Sequence, residues 1–185
     1  ILGKMFAFLP VGSPAFRVNL LSAFFGALAC AVVFQIVRDL CKQRTSASSA
    51  AFAGGVAAFG SAFSLPMWEQ AVVAETTTLH AFFMMLVTLL VFRIDAGGRA
   101  DNNLSRRLYL LSFLFGLSFT NHVASIFFAP SIAALLIYRL RRDFLKPARL
   151  AAMAGLFLLA LSVYAYLPIR SLSNPPIDWG NPETL

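Results

Sequence analysis

The chain has 185 residues, 59% of them hydrophobic and only 12% charged, with a formal net charge of +7. A soluble domain carries about 45–50% apolar and about 25% charged residues, so this balance excludes a disordered chain, a nucleic-acid-binding domain and almost any soluble enzyme. The 19 Phe residues and a mean hydropathy of +0.76 indicate an integral membrane protein, with its basic residues in short clusters between apolar runs.

The chain opens on Ile1 with no charged n-region and no cleavage site, so no signal peptide is assigned. It closes on Asn181-Pro182-Glu183-Thr184-Leu185, which reads as mid-loop. An internal fragment is expected, truncated at both ends and forming a single integral membrane domain over 1–185. Cys30 and Cys41 are too few for a disulfide framework.

A bilayer core about 30 Å thick needs around 20 apolar residues as a helix. The first such run is 18–40, interrupted only by Asn19, Ser22, Gln35, Arg38 and Asp39. The second is 49–65, with Ala50, Gly54, Ala58 and Ala62 at every fourth position. That spacing predicts a smooth stripe on which another helix can pack closely, and Pro66 suits the end of the helix. The third run is 72–92, apolar in earnest from Leu79. Runs at 108–120 and 123–138 follow, split by Asn121-His122. As one rod of about 31 residues they would measure roughly 46 Å and put basic clusters on both sides. A hairpin puts both basic ends on one side, with short arms and a kink expected at Pro130. The last run is 150–167. These runs predict an all-α fold, a polytopic transmembrane helix bundle of about six spans.

The loops around 38–44, 93–107 and 139–149 hold three, four and five Lys or Arg, twelve of the fifteen. Only Lys4, Arg17 and Arg170 fall on the other side. The positive-inside rule makes the basic loops cytoplasmic. Residues 1–17, the 66–78 loop, the Asn121-His122 tip and the tail from Pro168 then face outward, with Glu69, Glu75, Asp178 and Glu183. The sequon Asn103-Leu104-Ser105 falls on the cytoplasmic side, where no glycan is expected.

Polar residues near the membrane are costly and often functional, and here they gather on the outer side. Glu75 and His80 open the third span. On a continuous helix they would lie about 140° apart, so they converge only if the helix begins between them or kinks. The alternative is that Glu75 favours a helix N-terminus while His80 is interfacial. Asn121 and His122 form the hairpin tip. A neutral His can act as base, acid or hydrogen-bond partner, or both residues can simply satisfy backbone groups at a break. His80 and His122 make at most half a metal site, so no metal is assigned. Arg170 follows Tyr164 and Tyr166. Its planar fork suits phosphate, while an anchor at the headgroups is the plainer reading. Asn174, Asp178 and Trp179 lie in rigid turn sequence, where Trp179 can stack on a sugar ring or sit at the interface.

Four stretches carry a resemblance. They are GKMFAFLPVGSPAFRVNLLSAFFGALA at 3–29, VVAETTTLHAFF at 72–83, GLSFTNHVASIFFAP at 116–130 and YLPIRSLSNPPIDWGNP at 166–182. Together they resemble the multi-pass membrane family of domain of unknown function 2723, the transmembrane protein 260-like protein O-mannosyltransferases. The resemblance covers nearly the whole chain, the last stretch being the most specific. It implies the glycosyltransferase C superfold and an inverting glycosyltransferase. Such an enzyme takes a mannose-like sugar from a polyprenyl-phosphate carrier and passes it to a protein or glycan acceptor at the extracytoplasmic face. The implied setting is a bacterial inner membrane, or the endoplasmic reticulum membrane in a eukaryote, with no cofactor beyond the polyprenyl-phosphate-linked sugar.

In that family a first span and an acidic outer loop precede the Gly-Lys-Met-Phe stretch, so the expected catalytic acid is missing from these residues. What the resemblance leaves here are Glu75 and His122 as catalytic candidates. His80, Asn121, Arg170, Asn174, Asp178 and Trp179 are the substrate-binding ones. Arg170 is expected to hold the carrier phosphate, Glu75 or His122 to contact sugar or acceptor, and Trp179 to line the groove. Thr77 stands where the family has Tyr, which puts any contact of that ring in doubt. A lipid-linked-sugar transporter or flippase and a non-catalytic scaffold are the competing readings. Transporters often show inverted repeats and mid-membrane polar residues, and this sequence shows neither.

Overall fold

The computed structural model of the chain describes residues 2–98 and 102–172. All regular elements among them are helical, as lipid demands of a backbone that must satisfy its own polar groups. The chain divides into two compact units, 1–98 and 99–185.

In the first unit a short helix α1 (Leu2–Ala7) leads into the long α2 (Pro14–Cys41). The Ser13 hydroxyl caps α2 by accepting the Phe16 N–H at 3.3 Å. Pro14 opens the helix, where its missing N–H costs nothing. The 28 residues of α2 run about 42 Å. The surroundings of Arg17 explain why a cation is tolerated at the start of α2. Its guanidinium donates to the carbonyls of Val11, Ala7 and Gly12 at 2.8, 2.9 and 3.0 Å. It thereby straps the incoming segment to the first turn of α2.

Helix α3 (Ala47–Ala62) returns antiparallel along α2. Ala50 is fully buried, and a Cβ on Gly54 would lie 2.8 Å from the Phe34 carbonyl oxygen. The small-residue stripe is therefore where the two helices meet, while Phe52, Phe59 and Phe63 are exposed on the rest of α3. The chain then bends by 61° into α4 (Leu65–Ala71). Pro66 does not close the second helix; α3 already ends at Ala62, and Pro66 sits in the first turn of α4. Helix α5 (Thr77–Gly97) runs parallel to α2. Val32 and Ile36 of α2 pack with Leu89, flanked by Phe82, Met85 and Leu86.

The basic end of this pair holds an ion pair. Asp39 Oδ2 accepts from Arg93 Nε at 3.1 Å and Nη2 at 2.9 Å, and Oδ1 accepts from Gln35 Nε2 at 2.7 Å. The two side chains are 31% and 40% exposed, which screens their attraction. Asp39→Ala is expected to lower stability in detergent by about 1 kcal/mol. Arg93→Ala in the same background should add almost nothing, because coupled partners are non-additive. Thermal unfolding of the two single variants and the double variant checks this; fully additive losses would mean the pair does not fix the two helices.

In the second unit α6 (Leu104–Asn121) is followed by a 3-10 segment, Val123–Phe128, and α7 (Ala129–Leu140). Leu111 and Leu136 line one small cavity of about 140 Å³. A straight rod would set them about 37 Å apart, so the chain folds back at Asn121-His122. Pro130 stands in the first turn of α7. Its missing N–H is accommodated where the 3-10 segment gives way to α-helix, rather than by a kink within one helix. Helix α8 (Pro147–Leu161) then runs parallel to α6, and a 3-10 turn, Ser162–Ala165, leads into α9 (Tyr166–Ser171). Ser112 Oγ donates to the Met153 carbonyl at 2.7 Å and Tyr164 Oη to the Phe119 carbonyl at 3.2 Å. At the other end of the pair, Arg149 bonds Ser105 Oγ at 3.3 Å and the Asp143 carbonyl.

Among the described residues four helical stretches are long and apolar enough to cross a membrane: Pro14–Cys41, Thr77–Gly97, Val123–Leu140 and Pro147–Ser171. The bent pair α3–α4 makes a fifth. Helix α6 starts with Arg106 and Arg107 in its first turn, so it supplies the short arm expected at 108–120. The fold is a helical membrane bundle.

Candidate functional site

Helix α5 begins at Thr77, five residues later than the apolar run suggested. The delay places Glu75 outside the helix and His80 in its first turn, one of the two arrangements in which the two can converge. Glu75 sits in an exposed loop, yet its backbone is fixed. Its carbonyl accepts from Ser22 Oγ at 3.0 Å, and its N–H donates to the same oxygen at 3.3 Å. Its carboxylate Oε2 accepts from Thr77 Oγ1 at 3.1 Å. An anion here also meets the positive end of the α5 dipole. The His80 N–H donates to the Thr76 carbonyl at 2.9 Å. Just beneath, Thr78 is 1% exposed, and its hydroxyl oxygen has no hydrogen-bond partner among the described residues.

Seventeen residues of α2 separate Ser22 from Asp39, about 26 Å along the axis. That is close to the thickness of a hydrocarbon core, so the Glu75 loop and the Asp39–Arg93 pair occupy opposite ends of a membrane-spanning pair. Below the loop lies a mainly apolar cavity of about 600 Å³ between α2, α3, α4 and α5. Ala29, Val33, Gly60, Met67 and Met85 are among its lining. Ala29 is about 10 Å along α2 from Ser22.

In the second unit His122 ends α6 and caps the 3-10 segment. Its Nδ1 accepts the Ala124 N–H at 3.2 Å. Its carbonyl accepts from the Ser125 hydroxyl at 2.9 Å and the Ser125 N–H at 3.1 Å. The Nδ1 bond ties the imidazole to the backbone at the start of the 3-10 segment. Asn121 is the last residue of α6. Because α6 and α8 are parallel and Tyr164 bonds Phe119, the Asn121-His122 tip and the segment leading to Arg170 emerge at one end of this unit. Arg170 is exposed, in α9. Asn174, Asp178 and Trp179 lie outside the described residues. Among the described residues no group of three or more His, Cys, Asp or Glu is placed to hold a metal ion.

Sequence reasoning missed Ser22 and Thr78, which it passed over as an interruption in an apolar run and as part of a Thr triplet. The available signal was a lone hydroxyl inside a span, a group able to bond across to a neighbouring element.

Residues 1–145 match the family model described as the Protein O-mannosyl-transferase TMEM260 N-terminal domain. The chain belongs to this family. The TMEM260 match takes in α1 to α7, and with them Glu75, His80, Asn121 and His122; Arg170 lies beyond it. A curated relative, Protein O-mannosyl-transferase TMEM260 of Mus musculus, is 32% identical over 181 residues. The alignment covers 95% of this chain and 24% of that protein, so the chain spans about a quarter of the length of its TMEM260 relative. No solved structure matches the chain.

Proposed function

We propose that this chain is part of a membrane mannosyltransferase that takes its sugar from a polyprenyl-phosphate carrier and passes it to a protein hydroxyl at the extracytoplasmic face. The observation that carries the reading is the 32% identity, over 181 residues, to a protein named for O-mannosyl transfer. The Glu75 geometry supports it: a carboxylate fixed by backbone and side-chain hydrogen bonds, at the end of a spanning helix pair that the positive-inside rule places outward. The superfold expected for such an enzyme is glycosyltransferase C.

In the transfer, the acceptor oxygen forms a bond to C1 of the sugar from the face opposite the carrier. The C1–O bond to the carrier phosphate breaks, and its electron pair leaves with the phosphate. The acceptor proton goes to a carboxylate. Glu75 meets the acceptor or a sugar hydroxyl, with His80 beside it at the start of α5. His122 and Asn121 donate hydrogen bonds to the sugar. Arg170 is the expected partner of the phosphate, and Asn174, Asp178 and Trp179 are the further substrate-binding candidates that the resemblance implies. The apolar cavity under the Glu75 loop suits the first isoprene units of the carrier.

The test uses the full-length protein in liposomes. It is offered polyprenyl-phosphate mannose or the sugar-nucleotide GDP-mannose, with a peptide containing Ser and Thr as acceptor. Transfer from the lipid-linked donor alone is expected. Transfer from GDP-mannose alone overturns the donor assignment. Movement of the lipid-linked sugar between leaflets without transfer replaces the enzyme by a flippase.

A further inference from the structure

A serine inside a spanning helix ordinarily returns its hydroxyl to a carbonyl one turn back. Ser61 does this to Ala57 at 2.9 Å, and Thr88 likewise to Met84 at 2.8 Å. Ser22 does not follow that pattern. It is 1% exposed, and its hydroxyl crosses to a loop 53 residues away, meeting both backbone polar groups of Glu75. The Glu75 N–H is shared, because it also donates to the Val73 carbonyl at 2.9 Å. One turn further along α2, a Cβ on Gly26 would meet Ala71, Met67 and Thr78 at 3.6–3.7 Å. The face of α2 that carries Ser22 and Gly26 is therefore the floor on which the end of α4 and the start of α5 rest.

We infer that Ser22 is a positioning residue for the Glu75 carboxylate. The inference rests on the proposed reading that Glu75 contacts substrate. The loop from Val72 to Thr77 is exposed throughout, so few side-chain contacts of its own hold it. Ser22 takes both backbone bonds from the buried side, and the carboxylate is left to its bond from Thr77. A reacting group displaced by about 1 Å can cost up to a hundredfold in rate. The anchor therefore sets how often Glu75 is in register, while the substrate contact itself belongs to Glu75.

The experiment measures sugar transfer by the full-length protein from polyprenyl-phosphate mannose. The variants are Ser22→Ala, Ser22→Cys, Ser22→Thr, Glu75→Gln and the Ser22→Ala/Glu75→Gln double variant. Thr88→Ala is the control that loses an intrahelical hydroxyl. Ser22→Ala and Ser22→Cys are expected to lower kcat about tenfold with the donor KM unchanged. Ser22→Thr, which keeps the hydroxyl, should retain most of the activity. Thermal midpoints should move no further than that of Thr88→Ala. The double variant should be no worse than Glu75→Gln, because Ser22 acts only through Glu75. Wild-type kcat for Ser22→Ala beside an impaired Glu75→Gln overturns the inference and leaves the functional reading standing. Losses that multiply in the double variant, or a kcat loss matched by loss of folded protein, also overturn it. A fully active Glu75→Gln overturns the role of Glu75, and that of Ser22 with it.

Discussion

On the proposed contact of Glu75 with acceptor or sugar, replacing it by Gln in the full-length protein is expected to lower kcat for sugar transfer about a hundredfold, the usual loss when a charged contact strengthened in the transition state is removed. The substitution is nearly isosteric. It keeps the backbone bonds to Ser22 and leaves an amide oxygen able to accept from Thr77 Oγ1. What it removes is the negative charge and the ability to take a proton. The thermal midpoint should therefore hold while the rate falls. Glu69 is the informative comparison. It is also an exposed acid on the expected outer side, on α4, with no part in the Ser22–Glu75–Thr77 arrangement. Glu69→Gln should stay close to wild type. Rates measured at saturating donor check both; equal losses at the two positions would point to general surface charge rather than a site, and no loss at Glu75 would remove it from the chemistry.

How much of this was legible in the sequence depends on the range of the interaction. Apolar runs, basic loops and the Asn121-His122 break are local patterns, and they locate the helices to within a few residues. The small-residue stripe of α3 was legible for the same reason, since Gly54 admits Phe34 through nothing more than its missing side chain. The errors arise where tertiary contact overrides pattern. The apolar run at 72 predicts a helix that starts there, but Glu75 is held by Ser22, and α5 waits until Thr77. Pro66 carries the same signal whether it ends one helix or opens the next, and only the bend after Ala62 decides between them. Arg17 looked like an exception to charge placement until its three carbonyl partners supplied a local reason. Asp39 and Arg93 stand 54 residues apart; the basic loops after both spans make α2 and α5 parallel, but nothing local says that these two helices pack together. Of the candidate site, the residue types and the helix ends that carry them were legible. The hydrogen bonds that hold Glu75, and the bond by which His122 caps the 3-10 segment, were not.

Replacing Gly116 by Val is expected to be the most damaging single change to the second unit. A Cβ there would lie 2.7 Å from the Ala160 Cβ and 2.8 Å from the Phe157 carbonyl oxygen. The second of these is backbone and cannot swing away, so α6 and α8 must separate. Overpacking of this kind costs about 1–3 kcal/mol, and even Ala at this position meets the same two atoms. Gly155 in α8 gives the opposite expectation within the same unit. Nothing lies within 4 Å of a Cβ there, so Gly155→Ala should be neutral or should stabilise by up to about 1 kcal/mol. The consequence for the site follows from geometry. Separating the helices lengthens the Tyr164–Phe119 bond, which stands at 3.2 Å, and that bond keeps the segment leading to Arg170 beside the Asn121-His122 tip. Gly116→Val should therefore lower both the thermal midpoint and donor binding, whereas Gly155→Ala should leave donor binding unchanged. If Gly116→Val unfolds at the wild-type temperature, the close approach of α6 and α8 is not what holds the second unit together.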